Sequence, residues 1–162
     1  MDYSQFYRLD DIFFMAMKIE KNGEEFYKTL AKRTKNDKIR DSFSSLSADE
    51  KKHRSAVLDL YSDFKMETKG SYHNFLEGVS HLLSIANNNI FLQAQLSEVL
   101  DDVQKEDELL DYAIRIEEDT IRFYKELQKS VDERCSLAID SLIEDEQKHK
   151  EDLLQLKDGT GA

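Results

Sequence analysis

The chain has 162 residues, one cysteine, five glycines and no proline, with 35% charged residues and a formal net charge of −11. That length supports one domain with a core, and the scarcity of helix breakers favours long helices over a turn-rich β fold. The negative balance disfavours nucleic acid and anionic membrane surfaces as partners, and lone Cys135 leaves no internal disulfide or Cys-x-x-Cys pair.

The run Ile12-Phe13-Phe14-Met15-Ala16-Met17 is far shorter than the ~20 residues a membrane span needs. It follows two aspartates rather than a basic segment, so it does not read as a signal peptide, and a cytoplasmic location is the expectation. From here Ile12, Ala16, Ile19, Gly23, Phe26 and Leu30 recur at alternating spacings of four and three, the stripe of an amphipathic helix A from about Asp11 to Lys35. Asn36-Asp37 reads as a turn with a cap for the next helix.

Helix B continues the rhythm with Ile39, Phe43, Leu46, Glu50, His53, Val57 and Leu60. About forty residues, Lys65 to Gln104, follow. They are interrupted by Gly70, Gly78 and Asn87-Asn88-Asn89, with short amphipathic pieces around Phe75–Leu83 and Leu96–Val103. A connection this long exceeds what a hairpin needs and suits a crossover from one end of a bundle to the other. Helix C places Leu109, Ala113, Ile116, Thr120, Phe123 and Leu127 on one stripe. Helix D places Cys135, Ile139, Leu142, Glu146, His149, Leu153 and Leu156 on another. Four such helices must cover one another's stripes, so the predicted fold is an all-α four-helix bundle, a single domain over residues 1–162.

The halves repeat. Ala16-Met-Lys-Ile-Glu20 matches Ala113-Ile-Arg-Ile-Glu117 and Phe26-Tyr27-Lys28 matches Phe123-Tyr124-Lys125, both offset by 97; Glu50/His53 match Glu146/His149 at an offset of 96. One helical hairpin has been duplicated, which predicts rough two-fold symmetry.

Glu50, His53, Glu146 and His149 occupy positions where an apolar stripe should continue, and residues three apart share a helix face. Glu20 and Glu117 sit beside the stripes of helices A and C. The midpoint between Glu20 and Glu50 is residue 35, on the first turn; that between Glu117 and Glu146 falls at Ser130-Val131-Asp132, the expected second turn. Each acid then lies about 20 Å from its turn at ~1.5 Å per residue, so all four carboxylates share one level near mid-bundle. Unpaired, each would cost several kcal/mol (~2–7) in a core, and no Lys or Arg shares that level of the stripes. Two divalent cations would neutralise them, with one imidazole nitrogen each, a donor set suited to Fe or Mn; adventitious Zn also fits.

This pattern resembles the ferritin-like di-iron carboxylate proteins, which take one Glu from each of two helices and Glu-x-x-His from each of the other two. Glu20-Lys-Asn-Gly-Glu-Glu-Phe-Tyr27 followed by Glu50-Lys-Lys-His53 is most similar to the rubrerythrin-like branch. The resemblance implies a ferritin-like bundle and metal ligands Glu20, Glu50, His53, Glu117, Glu146 and His149, with Glu50 and Glu146 bridging. It implies a supporting role for Tyr27 and Tyr124, as tyrosines that orient carboxylates at the catalytic centre. It further implies reaction with dioxygen or hydrogen peroxide, a separate electron-donor protein and a homodimer. Two departures stand out: rubrerythrins proper carry another helix-C glutamate where this chain has Ile114, and they append a four-cysteine rubredoxin domain, which one cysteine cannot replace.

Three functions follow as expectations: a peroxide- or dioxygen-reducing redox enzyme, a protein of ferroxidation and iron handling, or a metal-free helical interaction module. Other residues read more plainly. Glu24, whose counterpart is Ile121, is expected to be a solvated acid; His73 and His81 to lie at the surface of the crossover; Cys135, Met15 and Met17 to be packing residues; and the charged run 101–108 to be a solvated face.

Overall fold

The computed structural model describes residues 9–67, 105–129 and 133–160. These form four helices and, among the described residues, no strand: α1 Leu9–Arg33, α2 Asp37–Glu67, α3 Glu106–Gln128 and α4 Glu133–Thr160. Helices α1 and α2 pack as one hairpin and α3 and α4 as a second. The hairpins meet α2 against α4, and also through α1 and α3, where the Phe26 and Tyr112 rings lie 5.8 Å apart. The expected all-α, ferritin-like bundle is what forms. No described helix is long and apolar enough to cross a membrane.

The first turn forms where Asn36 predicted it. Its Oδ1 accepts the Lys38 and Ile39 backbone N–H groups at 3.0 and 3.4 Å, filling two of the donors a helix start leaves open. Thr34 N–H still bonds back to Leu30 O at 3.1 Å, closing the last turn of α1. The helix therefore runs two residues earlier at both ends than the predicted span of 11–35. Buried Thr34 donates its hydroxyl to Glu106 Oε1 at 2.6 Å, pinning this turn to the start of α3. That start carries Glu106, Asp107 and Glu108, negative charge where the helix dipole favours it.

The stripes meet in one core. Phe13, Ile19, Phe26, Leu30, Ile39, Phe43, Leu110 and Phe123 are fully buried, and Cys135 is buried with them. Met15 and Met17 are half-buried and pack against this core from its edge. Most of the crossover, with His73 and His81, and the second turn at 130–132 lie outside the described residues.

Candidate metal centre

The core is interrupted at mid-height by six ionisable side chains. Glu20, Glu50, Glu117 and Glu146 are all but inaccessible, and His53 and His149 are 5% and 6% exposed. They come from all four helices, one each from α1 and α3 and two each from single turns of α2 and α4, and the hairpin register brings them to one level. Donor atoms of Glu50, His53, Glu146 and His149 all lie within 4.8 Å of one another. His53 Nδ1 lies 3.6 Å from Glu20 Oε2, 3.6 Å from Glu50 Oε2 and 2.9 Å from Glu146 Oε1. His149 Nδ1 lies 3.0 Å from Glu146 Oε2. The two imidazoles stack, with ring centroids 5.3 Å apart. Glu117 completes the group beside Glu146.

Two tyrosines hold the outer carboxylates, and they do so across the halves. Buried Tyr27 of α1 donates to Glu117 Oε1 of α3, and buried Tyr124 of α3 donates to Glu20 Oε1 of α1. Burial, then the nearby carboxylates, keeps both phenols well above their usual pKa, so they remain donors.

The histidines are braced in the same crossed way. His53 Nε2 faces Asp145 Oδ2 of α4 at 3.6 Å, and His149 Nε2 faces Asp49 Oδ2 of α2 at 3.7 Å. A carboxylate behind the outer imidazole nitrogen is the usual way of fixing a ligating histidine's tautomer and ring orientation. Asp49 and Asp145 escaped the sequence reading. Their signal was present, since each immediately precedes the glutamate of its Glu-x-x-His and the pair recurs at the same offset of 96.

Gly23 was read as a stripe position and has a more specific reason to lack a side chain. A Cβ there would lie 3.0 Å from Glu50 Cδ and 3.2 Å from its Cγ. A glycine inside a helix costs ~0.5–1 kcal/mol relative to alanine; here it makes room for the carboxylate. Glu24, expected to be solvated, is instead half-buried and paired with Arg54 Nη1 at 2.7 Å, an ion pair between α1 and α2. Ile114, at the departure from the family pattern, is buried and offers no oxygen.

The electrostatics of the cluster are adverse without a counter-charge. Burial, then Glu146 and Glu20, pushes Glu50 well above the ordinary carboxylate range. Burial and Glu146 do the same to Glu117. Burial raises Glu146 as well, although His53 opposes it. Burial works against a charged His53, but Glu146, Glu20 and Glu50 outweigh it and raise its pKa. For His149 burial prevails, and its pKa falls. Several donor atoms have no hydrogen-bond partner among the described residues: Glu20 Oε2, Glu117 Oε2, Glu146 Oε1 and His53 Nδ1. The 2.9 Å approach of the last two is close but misaligned for a hydrogen bond. Buried lone pairs left unsatisfied cost ~1–3 kcal/mol each. Hard oxygen donors with imidazole nitrogens, orphaned and mutually repelling, fit divalent cations.

A groove between α2 and α4 leads to this cluster. It encloses about 1110 Å³ and is lined in part by His53, His149, Asp49, Asp145, Lys52 and Lys148. The histidine edge of the site therefore faces the groove, while the tyrosines close the α1–α3 side.

Two like hairpins that enclose a crossed glutamate–histidine cluster at mid-bundle define the ferritin-like class. The rubrerythrin family model matches residues 11–100 and 108–160, and the chain belongs to the rubrerythrin family. No curated protein and no solved structure matches the chain.

Proposed function

We propose that this protein is a non-haem di-iron redox protein that reduces hydrogen peroxide or dioxygen with electrons from a separate donor protein. The observation that supports it most is the set of partnerless donor atoms on Glu20, His53, Glu117 and Glu146, enclosed between matched hairpins. Glu20, Glu50, His53, Glu117, Glu146 and His149 would hold two iron ions; manganese or zinc could take the same donors. Bound iron would supply the electrons that cleave the O–O bond of the oxidant.

The chain's own residues do the rest. The four carboxylates set the charge of the site and can change how many oxygens they offer as that charge changes. Tyr27 and Tyr124 fix Glu117 and Glu20 from the closed side. Asp145 and Asp49 orient the histidines from the groove side. The groove is the natural path for a small oxidant, and the apolar core packed around the cluster limits water. Loading needs ionised carboxylates and neutral imidazoles, so it releases the protons that the isolated cluster retains.

Anaerobic titration with ferrous iron should saturate at two ions per chain. Adding hydrogen peroxide should oxidise them rapidly, with turnover when a reductant is supplied. Saturation at two ions without fast oxidation or turnover sinks the redox proposal. Ferroxidation and iron handling is the second reading, favoured by the same donor set; oxidation by dioxygen with release of ferric iron would support it. A metal-free helical interaction module predicts no metal in protein purified without chelator. A homodimer in the cytoplasm is the expected setting, and sedimentation tests the first part.

A further inference from the structure

The two halves of the site differ at one buried position. Gly23 on α1 corresponds to Thr120 on α3, at the offset of 97 that relates Glu20 to Glu117. Thr120 is 2% exposed and lies between Glu117 and Tyr124 on the face of α3 that supplies both to the cluster. At Gly23 the absent side chain would press on the Glu50 carboxylate. By the internal repeat, the Thr120 side chain stands in the equivalent place beside Glu146.

Among the described residues the Thr120 hydroxyl has no hydrogen-bond partner. That is unusual for a hydroxyl inside a helix, which normally bonds to the carbonyl four residues back. Thr29 does so to Glu25 O at 2.8 Å, Ser44 to Arg40 O at 2.8 Å, Ser55 to Lys51 O at 3.3 Å and Ser62 to Leu58 O at 3.0 Å. Thr120 forgoes this bond in a place where water cannot substitute, and a buried orphan hydroxyl calls for an explanation. A valine would fill the same volume without the penalty.

We propose that Thr120 is a positioning residue for a small ligand of the metal site. Its hydroxyl donates a hydrogen bond to a water, hydroxide or oxidant molecule held on the Glu146 side. The Gly23 side has no such donor, so the two halves of a nearly symmetric site bind a ligand unequally. The inference rests on the metal-site reading above and adds to it the residue that orients the incoming molecule.

The test uses azide as the probe on the ferric-loaded full chain. Thr120→Val should load the same amount of iron as the parent and bind azide about fivefold more weakly by its charge-transfer absorption, the loss of one ordinary hydrogen bond. Thr120→Ser should stay close to the parent. The metal-free Thr120→Val protein should melt no lower than the metal-free parent, because the hydroxyl has no partner to lose. Equal azide affinity in Thr120→Val overturns the proposal. So does equal weakening in the serine and valine variants, which would mark a packing effect, or a clearly lower melting point of the metal-free valine variant. A parent that binds no iron overturns it by removing the metal-site reading itself, and direct metal analysis recognises that outcome.

Discussion

Replacing Glu50 by glutamine should raise the stability of the metal-free protein and abolish the stabilisation that metal gives. Glu50 is 2% exposed and shares its neighbourhood with Glu146, Glu20 and Glu117. The cluster is rich in acceptors, and an amide would remove an acid that folding must hold protonated while adding two N–H donors for orphaned oxygens such as Glu20 Oε2. Every tenfold by which burial and repulsion disfavour the ionised acid costs folding about 1.4 kcal/mol, a cost the amide escapes. For a chain of this size each kcal/mol moves the melting point by ~2–4 °C, so the chelated variant should melt several degrees higher. The loaded proteins should reverse that order. A ligand at 1,000 times its Kd adds about 4 kcal/mol to the parent, and Glu50→Gln should lose most of this. The assay is a pair of thermal melts, one with a chelator and one with excess ferrous or manganous ion under argon. A chelated variant less stable than the chelated parent would refute the argument that carboxylate repulsion dominates the site. A variant with the full metal-induced shift would refute Glu50 as a ligand.

The metal-free protein should gain stability as pH falls from about 8 towards 5. Glu50, Glu117, Glu146 and His53 all have raised pKa values, so the folded form holds protons that the unfolded form releases. Their contribution is present at low pH and lost as pH rises through the folded values, while His149, lowered, opposes them below its usual ~6.5. The loaded protein should move the other way, because protons displace metal; chemical denaturation across that range with and without chelator checks both slopes. Asp145→Asn should weaken metal binding about 10–100-fold without removing a ligand, measured by competition with a chromophoric chelator, because it slackens His53. Tyr27→Phe should cost about 1–3 kcal/mol in the metal-free protein by denaturant titration, because it leaves a buried Glu117 oxygen without its donor; combination with Glu117→Gln should give much less than the sum.

The bundle and the level of its site were legible because both depend on spacing along single helices. Glu50 and His53 replace apolar residues in a regular stripe, and the midpoint at residue 35 fixes their register against Glu20. What spacing cannot give is the pairing between helices that are distant in the chain. Nothing local says that Tyr27 reaches Glu117 rather than a residue of its own hairpin, or that His53 leans on Asp145. Glu24 illustrates the same limit: its counterpart Ile121 in the other half suggested a solvated acid, and only the packing of α1 on α2 brings Arg54 to it. Gly23 read as one more stripe position, and only the Glu50 side chain packed above it shows why it is a glycine.

The exchange of bonds between hairpins bears on how such a molecule could arise. Tyr27 serves Glu117, Tyr124 serves Glu20, and each histidine is steadied by the opposite aspartate. A solitary ancestral hairpin carrying one copy of these residues could not close any of those links on itself. Two separate copies meeting face to face would close all of them at once, so the centre belongs to the encounter of two like hairpins, which a single chain carrying both makes permanent.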